Sequence, residues 1–410
     1  MHRASRSADQ PAGAPHGRLD ALTGLRFLAA LVVVVFHLSL NRFFLDAPAL
    51  VDPLQGVLRN GGWLGVTFFF VLSGFVLTWS ARPGDTPGRF LWRRVAKIVP
   101  NHVVTFAVAL AVAGLGGALV WEAGANLLLL HSWVPRDTAF FSINHPSWSL
   151  SAEMVFYALF PVTLPLVARV PRRHLVTAGA ALVVVVVLLP LVARQLPVGA
   201  VFGPAHAQSP LLGASVLQVW SVYAFPLVRF LEFALGMLAA RAVREGALPR
   251  VPVVVALGLV AAGYLLSLVV PVLWTLDAVF VLPVTALVVA VAQAPTPPAV
   301  LTTPLAVRLG EISFALYMVH DIVLTATRRF VPAAGLPPLG AALLVALVLA
   351  VSLGAAWALW RWVEMPANTR LRALRLPSRD ARRRPAAPAA PAVPAVVPLT
   401  VPATASSQEV

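Results

Sequence analysis

Arg26 and His37 are ionisable residues within one long apolar segment, Ala21 to Leu40. At about 100° per residue their spacing makes roughly three helical turns plus 20°, so both side chains lie on one helix face, about 16 Å apart along the axis. A guanidinium binds anions, and an imidazole accepts a proton near neutral pH. Because an ionisable group in a bilayer-spanning segment is costly and indicates a function, the pair predicts a fixed cation and a titratable group at two levels of one membrane helix.

Glu153 is the candidate partner of His37. It lies about one turn into an apolar segment that begins near Ser149, and His37 lies about one turn before the end of its own segment at Leu40. If the two segments cross the membrane in opposite directions, both groups share a level, where a carboxylate can orient an imidazole and stabilise its protonated form. The alternatives are a solvated carboxylate favoured by a helix N-terminus and a histidine satisfied by a neighbouring helix.

Arg93, Arg94 and Lys97 are cations that we expect at the same end of the protein as Arg26. Such a group can bind an anionic ligand. It can also simply anchor a loop on the inner side of a membrane, as positive residues commonly do. For Arg26 the alternative is a side chain that extends along the helix to the membrane surface.

Other polar residues in the apolar segments are less specific candidates. Arg229 and Glu232 are spaced i, i+3, which favours a structural ion pair over catalysis. His320 fits a site role and a packing role equally. Ser149 and Ser151 can cap a helix, donate hydrogen bonds or line a pocket. We find no cluster of metal ligands, so no metal site is predicted.

The segments that carry these residues predict the fold class. The chain has 410 residues, of which 59% are hydrophobic and only 11% are charged, against about 25% in soluble proteins. The apolar residues fall in blocks of about twenty, which predicts an all-α polytopic bundle of membrane-spanning helices. The ten predicted spans are 21–40, 62–80, 101–120, 149–169, 174–193, 216–240, 252–270, 272–292, 309–330 and 338–362.

The net charge of +15 comes almost entirely from arginine, because Lys97 is the only lysine. The arginines flank the apolar spans, which favours a role in membrane topology over nucleic-acid binding. Most of them fall in the loops on the side of both termini. The positive-inside rule therefore predicts that both termini are cytoplasmic and that the protein lies in the cytoplasmic membrane. The absence of cysteine excludes disulfides and an acyl-cysteine intermediate.

The two ends of the chain differ from its middle. Residues 1–18 are polar and predict a cytoplasmic lead, followed by an apolar block too long for a typical signal peptide. Residues 19–366 form the predicted membrane domain. Residues 377–410 are rich in Ala, Pro and Arg, which predicts a disordered cytoplasmic tail.

Five sequence blocks, taken in order, resemble the acyltransferase-3 family, the integral-membrane O-acyltransferases of the OafA/YrhL type. The blocks are Leu19 to Arg26 followed by His37, Gly65 to Phe75, Arg93 to Pro100, Trp148 to Glu153 followed by Tyr157, and Leu309 to His320. The chain departs from the family pattern at three positions. Thr67 stands where an acidic residue is common, Lys97 where an arginine is common, and Val99 where an aromatic residue is common.

The resemblance implies transfer of an acyl group from acyl-CoA to a hydroxyl group. Family acceptors include cell-surface polysaccharides and macrolide antibiotics, and the segment around Arg26 and His37 is similar to the macrolide acyltransferases. The resemblance also implies that His37 is the general base, supported by Glu153, and that His320 has a site role. Acyl-CoA is expected to bind to Arg26 and to the cluster Arg93, Arg94 and Lys97. No permanently bound cofactor is expected.

A transporter or flippase is the alternative from another functional class, because it would use the same buried charges as a relay. It predicts corresponding Gly- or Pro-broken spans in two halves of the chain, which the sequence does not show clearly. A sensory or structural membrane protein is the second alternative.

Overall fold

The computed structural model describes residues 16–82, 84–115, 118–332 and 335–373. Within these ranges the chain is almost entirely helical, and its only β-type pairings are two isolated bridges, Leu45 with Leu336 and Val201 with Ser215. Most of the predicted lead, and the whole predicted tail at 377–410, lie outside the described residues. The predicted fold class, an all-α polytopic bundle, is confirmed.

Ten long helices, which we number α1 to α10, correspond to the ten predicted spans. They are α1 His16–Leu40, α2 Gly61–Trp79, α3 Pro87–Ala113, α4 Trp148–Arg169, α5 Leu175–Ala193, α6 Pro226–Arg244, α7 Val253–Ser267, α8 Ala278–Gln293, α9 Pro304–Arg328 and α10 Pro338–Leu359. Among the described residues, nine helical segments are long and apolar enough to cross a membrane. The exception is α7, whose 15 residues span roughly 22 Å.

Short helices connect the long ones. The α-helical connections are Pro48–Leu58, Val120–Leu127, Asp137–Phe140, Val216–Val219, Val272–Thr275, Ala299–Thr302 and Met365–Ala373. Single 3₁₀ turns are Arg42–Phe44, His131–Trp133, His145–Ser147, Arg172–His174 and Pro204–His206, and π-helical turns are Trp220–Ala224 and Trp360–Glu364.

Contacts between helix ends define two sides of the bundle. We call the side where α1 begins proximal and the side where α1 ends distal. On the proximal side, Arg244 at the end of α6 donates a hydrogen bond to the carbonyl of Trp79 at the end of α2 (2.7 Å). On the distal side, Arg59 before α2 donates to the carbonyl of Leu268 after α7 (2.9 Å). The ends of α2 and α6 therefore lie on the proximal side, and the end of α7 lies on the distal side.

Helix α3 begins earlier than the sequence predicted, at Pro87 instead of near residue 101. Thr86 caps its N-terminus by accepting a hydrogen bond from the backbone N–H of Arg89 (3.4 Å), and Pro87 occupies the first turn. Pro100, which directly precedes the predicted span 101–120, lies inside the helix. As a correction, the 93–97 cluster is therefore in the proximal half of a helix and not in a loop.

Glycines allow two pairs of helices to touch backbone to backbone. A Cβ added at Gly236 in α6 would lie 2.0 Å from the carbonyl oxygen of Val71 in α2, and one at Gly74 would lie 1.9 Å from the carbonyl oxygen of Phe233. A Cβ at Gly310 in α9 would lie 1.9 Å from the carbonyl oxygen of Thr23 in α1. Small residues permit this close approach, which fixes α1 and α2 within the bundle.

Replacing Gly236 with alanine is expected to destabilise the protein by roughly 1–3 kcal/mol, because the new methyl group forces two backbones apart. The matched control is Gly258→Ala in α7, where an added Cβ meets nothing within 4 Å. Thermal unfolding of both variants in detergent measures the difference. Equal melting temperatures for the two variants would contradict the close approach of α2 and α6.

Candidate active site

Two cavities occupy opposite halves of the bundle. The proximal cavity has a volume of about 140 Å³ and the distal cavity about 320 Å³. The polar residues that line the proximal cavity are Arg26, Ser73, Arg94, Lys97, Ser149, Glu153 and Tyr157. Polar and aromatic residues that line the distal cavity include His37, Trp63, His145, Trp148, Tyr223 and Asp321. Val66 and Tyr317 line both cavities, so they form a shared wall.

The proximal cavity combines three cations with one carboxylate. Glu153 accepts hydrogen bonds from Ser73 Oγ (3.1 Å) and Tyr157 Oη (2.5 Å), and it interacts electrostatically with Arg26. The Arg94 guanidinium lies over the Tyr157 ring, 5.9 Å from its centroid. Lys97 lies 5.9 Å from the centroid of Phe314 and completes the set. The excess of positive charge beside apolar walls suits an anionic ligand with an apolar extension.

Arg93 does not join this group. It pairs with Asp85 and lines a third cavity of about 370 Å³ on the proximal side. This entrance cavity shares Leu77 and Arg94 with the proximal cavity. The predicted cation set is thus divided, with Arg26, Arg94 and Lys97 in one cavity and Arg93 in the adjoining one.

The imidazole of His37 lies in the distal cavity with a defined tautomer. His320 Nδ1 lies 3.2 Å from the carbonyl of Leu316, which accepts its proton, so His320 Nε2 carries a lone pair. His37 Nδ1 lies 2.9 Å from the carbonyl of Val33 and 3.2 Å from His320 Nε2, so it carries a proton and donates to both. In the neutral imidazole this assignment leaves His37 Nε2 unprotonated, and Nε2 has no hydrogen bond to a described residue, so it is available as a base.

Asp321, next to His320 in α9, is the carboxylate of the distal cavity. It interacts electrostatically with the imidazoles of His37, His145 and His320. The sequence analysis predicted Glu153 as the partner of His37, and the structure places Glu153 in the other cavity. Glu153 lies on the α4 face that contacts Ser73, in the proximal cavity. The structure does not place Glu153 at the level of His37, so position along its helix gave neither its depth nor its neighbour.

The two candidate serines have different surroundings. Ser149 lines the proximal cavity, and its hydroxyl contacts Tyr317 Oη (2.9 Å) and donates to the carbonyl of Pro146 (3.0 Å). Ser151 is fully buried and donates to the carbonyl of Leu129 (2.6 Å), away from the cavities. Ser151 therefore has a structural contact and Ser149 a contact at the shared wall.

Arg229 is fully buried outside both cavities. It forms ion pairs with Glu232 (2.9 Å) and Asp277 (3.2 Å), and its guanidinium lies 5.0 Å from the centroid of Phe70. Thr67, which stands where the family has an acidic residue, donates a hydrogen bond to Glu232 (3.1 Å). This arrangement matches the structural pairing that the i, i+3 spacing favoured.

A hydrogen-bonded network positions the start of α4 beside the distal cavity. The Asn126 amide donates to Ser147 Oγ (3.1 Å), and Ser132 Oγ donates to the carbonyl of Trp148 (2.8 Å). His131 Nε2 lies 3.3 Å from Ser147 Oγ. Burial lowers the pKa of His131 to about 3, so this imidazole stays neutral near neutral pH and acts as a structural hydrogen-bonding group.

Asp321 and Tyr317 are site residues that the sequence analysis did not assign. With His320 they are spaced so that all three side chains share a face of α9. That periodicity was available in the sequence and could have identified them. His145, whose ring stacks on Phe141 with centroids 4.0 Å apart, lies on a 3₁₀ turn and gave no such signal.

Comparisons with known proteins show what the chain is similar to. The acyltransferase domain model Acyl_transf_3 matches residues 19–361. Acyltransferase MdmB of Streptomyces mycarofaciens is 39% identical over 316 residues, which are 75% of this chain and 79% of MdmB. The putative peptidoglycan O-acetyltransferase YrhL of Bacillus subtilis is 28% identical over 195 residues, 43% of this chain and 27% of YrhL.

A further relative is the peptidoglycan O-acetyltransferase OatA of Listeria monocytogenes, 26% identical over 165 residues, 36% of this chain and 24% of OatA. The chain thus matches most of MdmB but only about a quarter of YrhL and OatA. No solved structure matches the chain.

Proposed function

The chain belongs to the acyltransferase-3 family of membrane acyltransferases, and from this premise we propose that it moves an acyl group from acyl-CoA to a hydroxyl of a sugar-containing acceptor. The observation that carries the proposal is the division of the site. Cations line the proximal cavity, a free imidazole nitrogen lies in the distal cavity, and the two cavities share one wall.

The arginine-rich proximal side is the proposed cytoplasmic side, which places both ends of the membrane domain in the cytoplasm and the protein in the cytoplasmic membrane. Acyl-CoA then arrives where the cations are. Its nucleotide fits the entrance cavity beside Arg93 and Arg94, and Lys97 and Arg26 neutralise charge further in. The pantetheine arm of acyl-CoA is about as long as four residues of extended chain, roughly 14 Å. This length spans most of the roughly 16 Å between the levels of Arg26 and His37.

The proximal cavity is small, and its size supports a short acyl group. Its volume of about 140 Å³ resembles the roughly 150 Å³ apolar cavity that holds a benzene molecule. An acyl group of a few carbon atoms, such as acetyl, propionyl or isovaleryl, fits this space beside Phe69 and Phe314.

The distal cavity is the proposed acceptor site. Its volume of about 320 Å³ lies in the range of ligand pockets, and Trp63, Trp148 and Tyr223 supply aromatic walls for the apolar face of a sugar or macrolide ring. The names of two relatives refer to peptidoglycan O-acetylation, which supports a glycan acceptor. A macrolide remains the second acceptor of this class because the segment around Arg26 and His37 resembles the macrolide acyltransferases.

In the proposed reaction, His37 Nε2 takes the proton of the acceptor hydroxyl. The oxygen of that hydroxyl attacks the thioester carbonyl carbon of acyl-CoA. The tetrahedral intermediate then expels the sulfur of CoA, which receives the proton from the imidazolium of His37. Asp321 stabilises that imidazolium. Glu153 acts on the donor side, where its charge and its hydrogen bonds from Ser73 and Tyr157 hold the surroundings of Arg26.

The test is release of free CoA by purified protein in detergent from acetyl-, propionyl- and isovaleryl-CoA, with a macrolide or a surface-sugar acceptor. A thiol reagent detects CoA without background, because the chain has no cysteine. Release that depends on an acceptor supports the proposal and argues against a transporter or flippase, which needs sealed compartments. Folded protein that neither binds acyl-CoA nor releases CoA would refute the proposal.

Asp321→Asn is expected to lower kcat by about 10- to 100-fold, because the imidazolium of His37 loses its carboxylate. Glu153→Gln is expected to change kcat less and to alter mainly the KM for acyl-CoA, because Glu153 lies among the cations of the proximal cavity and outside the cavity of His37. Steady-state kinetics with varied acyl-CoA and acceptor separates the two effects. The reverse pattern would restore Glu153 as the partner of His37.

A further inference from the structure

We propose that Tyr317 determines whether the thioester reacts with an acceptor or with water. In this structure its side chain closes the passage between the proximal and distal cavities, and an arriving acceptor moves it. The inference rests on the proposed acyltransferase function and concerns a residue to which no role has been given. It assigns Tyr317 a specificity role that precedes the chemistry of His37.

The position of Tyr317 is the first support. It is buried, and with Val66 it forms the wall that the two cavities share. Acyl-CoA on the cations of Arg26, Arg94 and Lys97 lies on one side of this wall, and His37 Nε2 lies on the other. The reacting carbon can meet the base only where this wall opens.

The hydrogen bonds of Tyr317 are the second support. Its Oη lies 2.9 Å from Ser149 Oγ and 3.2 Å from the carbonyl oxygen of Pro146, and Ser149 Oγ lies 3.0 Å from that same carbonyl. These three contacts have only two protons, one on each hydroxyl, so one contact always lacks a donor. A hydroxyl group entering from the distal cavity can supply the missing proton or accept one, and it can thereby release Tyr317 from Pro146.

The packing around the ring permits such a movement. Tyr317 meets Phe69 and His320 with ring centroids 5.9 and 6.0 Å apart, and it has no ion pair among the described residues. Cavities lie on both sides of the ring, so a change of its rotamer displaces no packed helix. The side chain is held by neutral hydrogen bonds, which an acceptor can replace.

A barrier at Tyr317 would suppress hydrolysis of the thioester. His37 Nε2 can deprotonate water as well as an alcohol. Water would then attack the thioester carbonyl, the carbon–sulfur bond would break, and the products would be a carboxylic acid and the CoA thiol. Keeping the thioester apart from the distal cavity until an acceptor is bound suppresses this loss.

The experiment measures CoA release without and with an acceptor for the wild type, Tyr317→Ala, Tyr317→Phe and Tyr264→Ala. Tyr317→Ala is expected to raise release without an acceptor by about tenfold or more, with the carboxylic acid as product. Tyr317→Phe keeps the ring, so its increase should be much smaller. Tyr264→Ala is the matched control, because Tyr264 in α7 also donates a hydrogen bond to a backbone carbonyl, that of Val57, but lines neither cavity. Its release without an acceptor should stay at the wild-type rate.

Two outcomes would overturn the inference. One is folded Tyr317→Ala that releases CoA without an acceptor at the wild-type rate. The other is Tyr317→Phe that loses transfer as completely as Tyr317→Ala while neither variant hydrolyses acyl-CoA, because the hydroxyl would then be a catalytic donor. If Tyr317→Ala does not fold, Val66→Ala removes the other half of the wall and must raise hydrolysis instead.

The same data separate this inference from the proposed function. Hydrolysis by Tyr317→Ala but not by Tyr264→Ala supports the barrier even where no acceptor tried is a substrate. A wild-type protein that transfers acyl groups, together with a Tyr317→Ala variant that does not hydrolyse acyl-CoA, refutes the barrier and leaves the acyltransferase intact.

Discussion

His37→Ala is expected to lower acceptor-dependent CoA release by about 10²- to 10⁴-fold while acyl-CoA binding changes little. The expected effect is confined to turnover, because His37, the proposed base, lines the distal cavity, whereas the cations proposed to bind acyl-CoA line the proximal cavity. Transfer assays and equilibrium binding of acyl-CoA on the same purified samples measure both quantities.

His174→Ala is the matched control for His37→Ala. His174 is exposed on a proximal 3₁₀ turn and lines neither cavity, so its removal should leave transfer unchanged. Retention of more than a few per cent of wild-type turnover by folded His37→Ala would show that another group is the base. Loss of acyl-CoA binding in parallel with turnover would assign His37 to the donor site instead.

Arg26→Ala is expected to weaken acyl-CoA binding by about 10- to 100-fold, because a buried charge-assisted contact is lost and Glu153 keeps its negative charge nearby. The matched control is Arg89→Ala in α3, which removes the same charge from an exposed position outside the cavities. Equilibrium binding of acyl-CoA and CoA to both variants measures the effect.

The two alternatives for Arg26 give different results. If Arg26 only extended to the membrane surface, Arg26→Ala and Arg89→Ala would bind acyl-CoA equally well. Arg26 also interacts electrostatically with Glu153 and Glu364, and these interactions could stabilise the fold. In that case the double variant Arg26→Ala with Glu153→Gln would recover stability without recovering acyl-CoA binding. Melting temperatures measured beside the binding curves distinguish these cases.

The sequence sufficed for the helices and for the separation of Arg26 and His37 along α1, because a run of apolar residues and a rise of 1.5 Å per residue determine both. The continuity of α1 from Arg26 to His37 is an example. The sequence did not reveal which helix each face meets. Glu153 was therefore paired with His37, although it faces Ser73, and Asp321 was left unassigned.

The start of α3 shows a second limit of the sequence. Pro100 and the polar residues before it resemble a loop followed by a helix start, and local rules favour that interpretation. In the structure the charged residues from Arg93 to Lys97 face cavities, so the helix can continue through them. Recognising this required knowledge of a cavity, which forms only when several helices pack together.

Arg26 and His37 lie on one continuous helix, α1, so side-chain changes elsewhere in the helix cannot alter the distance between them along its axis. Inserting one residue between Arg26 and His37 would turn the imidazole by about 100° away from its partners and raise it by about 1.5 Å. Substitutions along the lipid-facing side of this helix would leave both quantities unchanged. The residue count of α1, and not its composition, therefore sets the separation that the proposed acyl-CoA donor has to span.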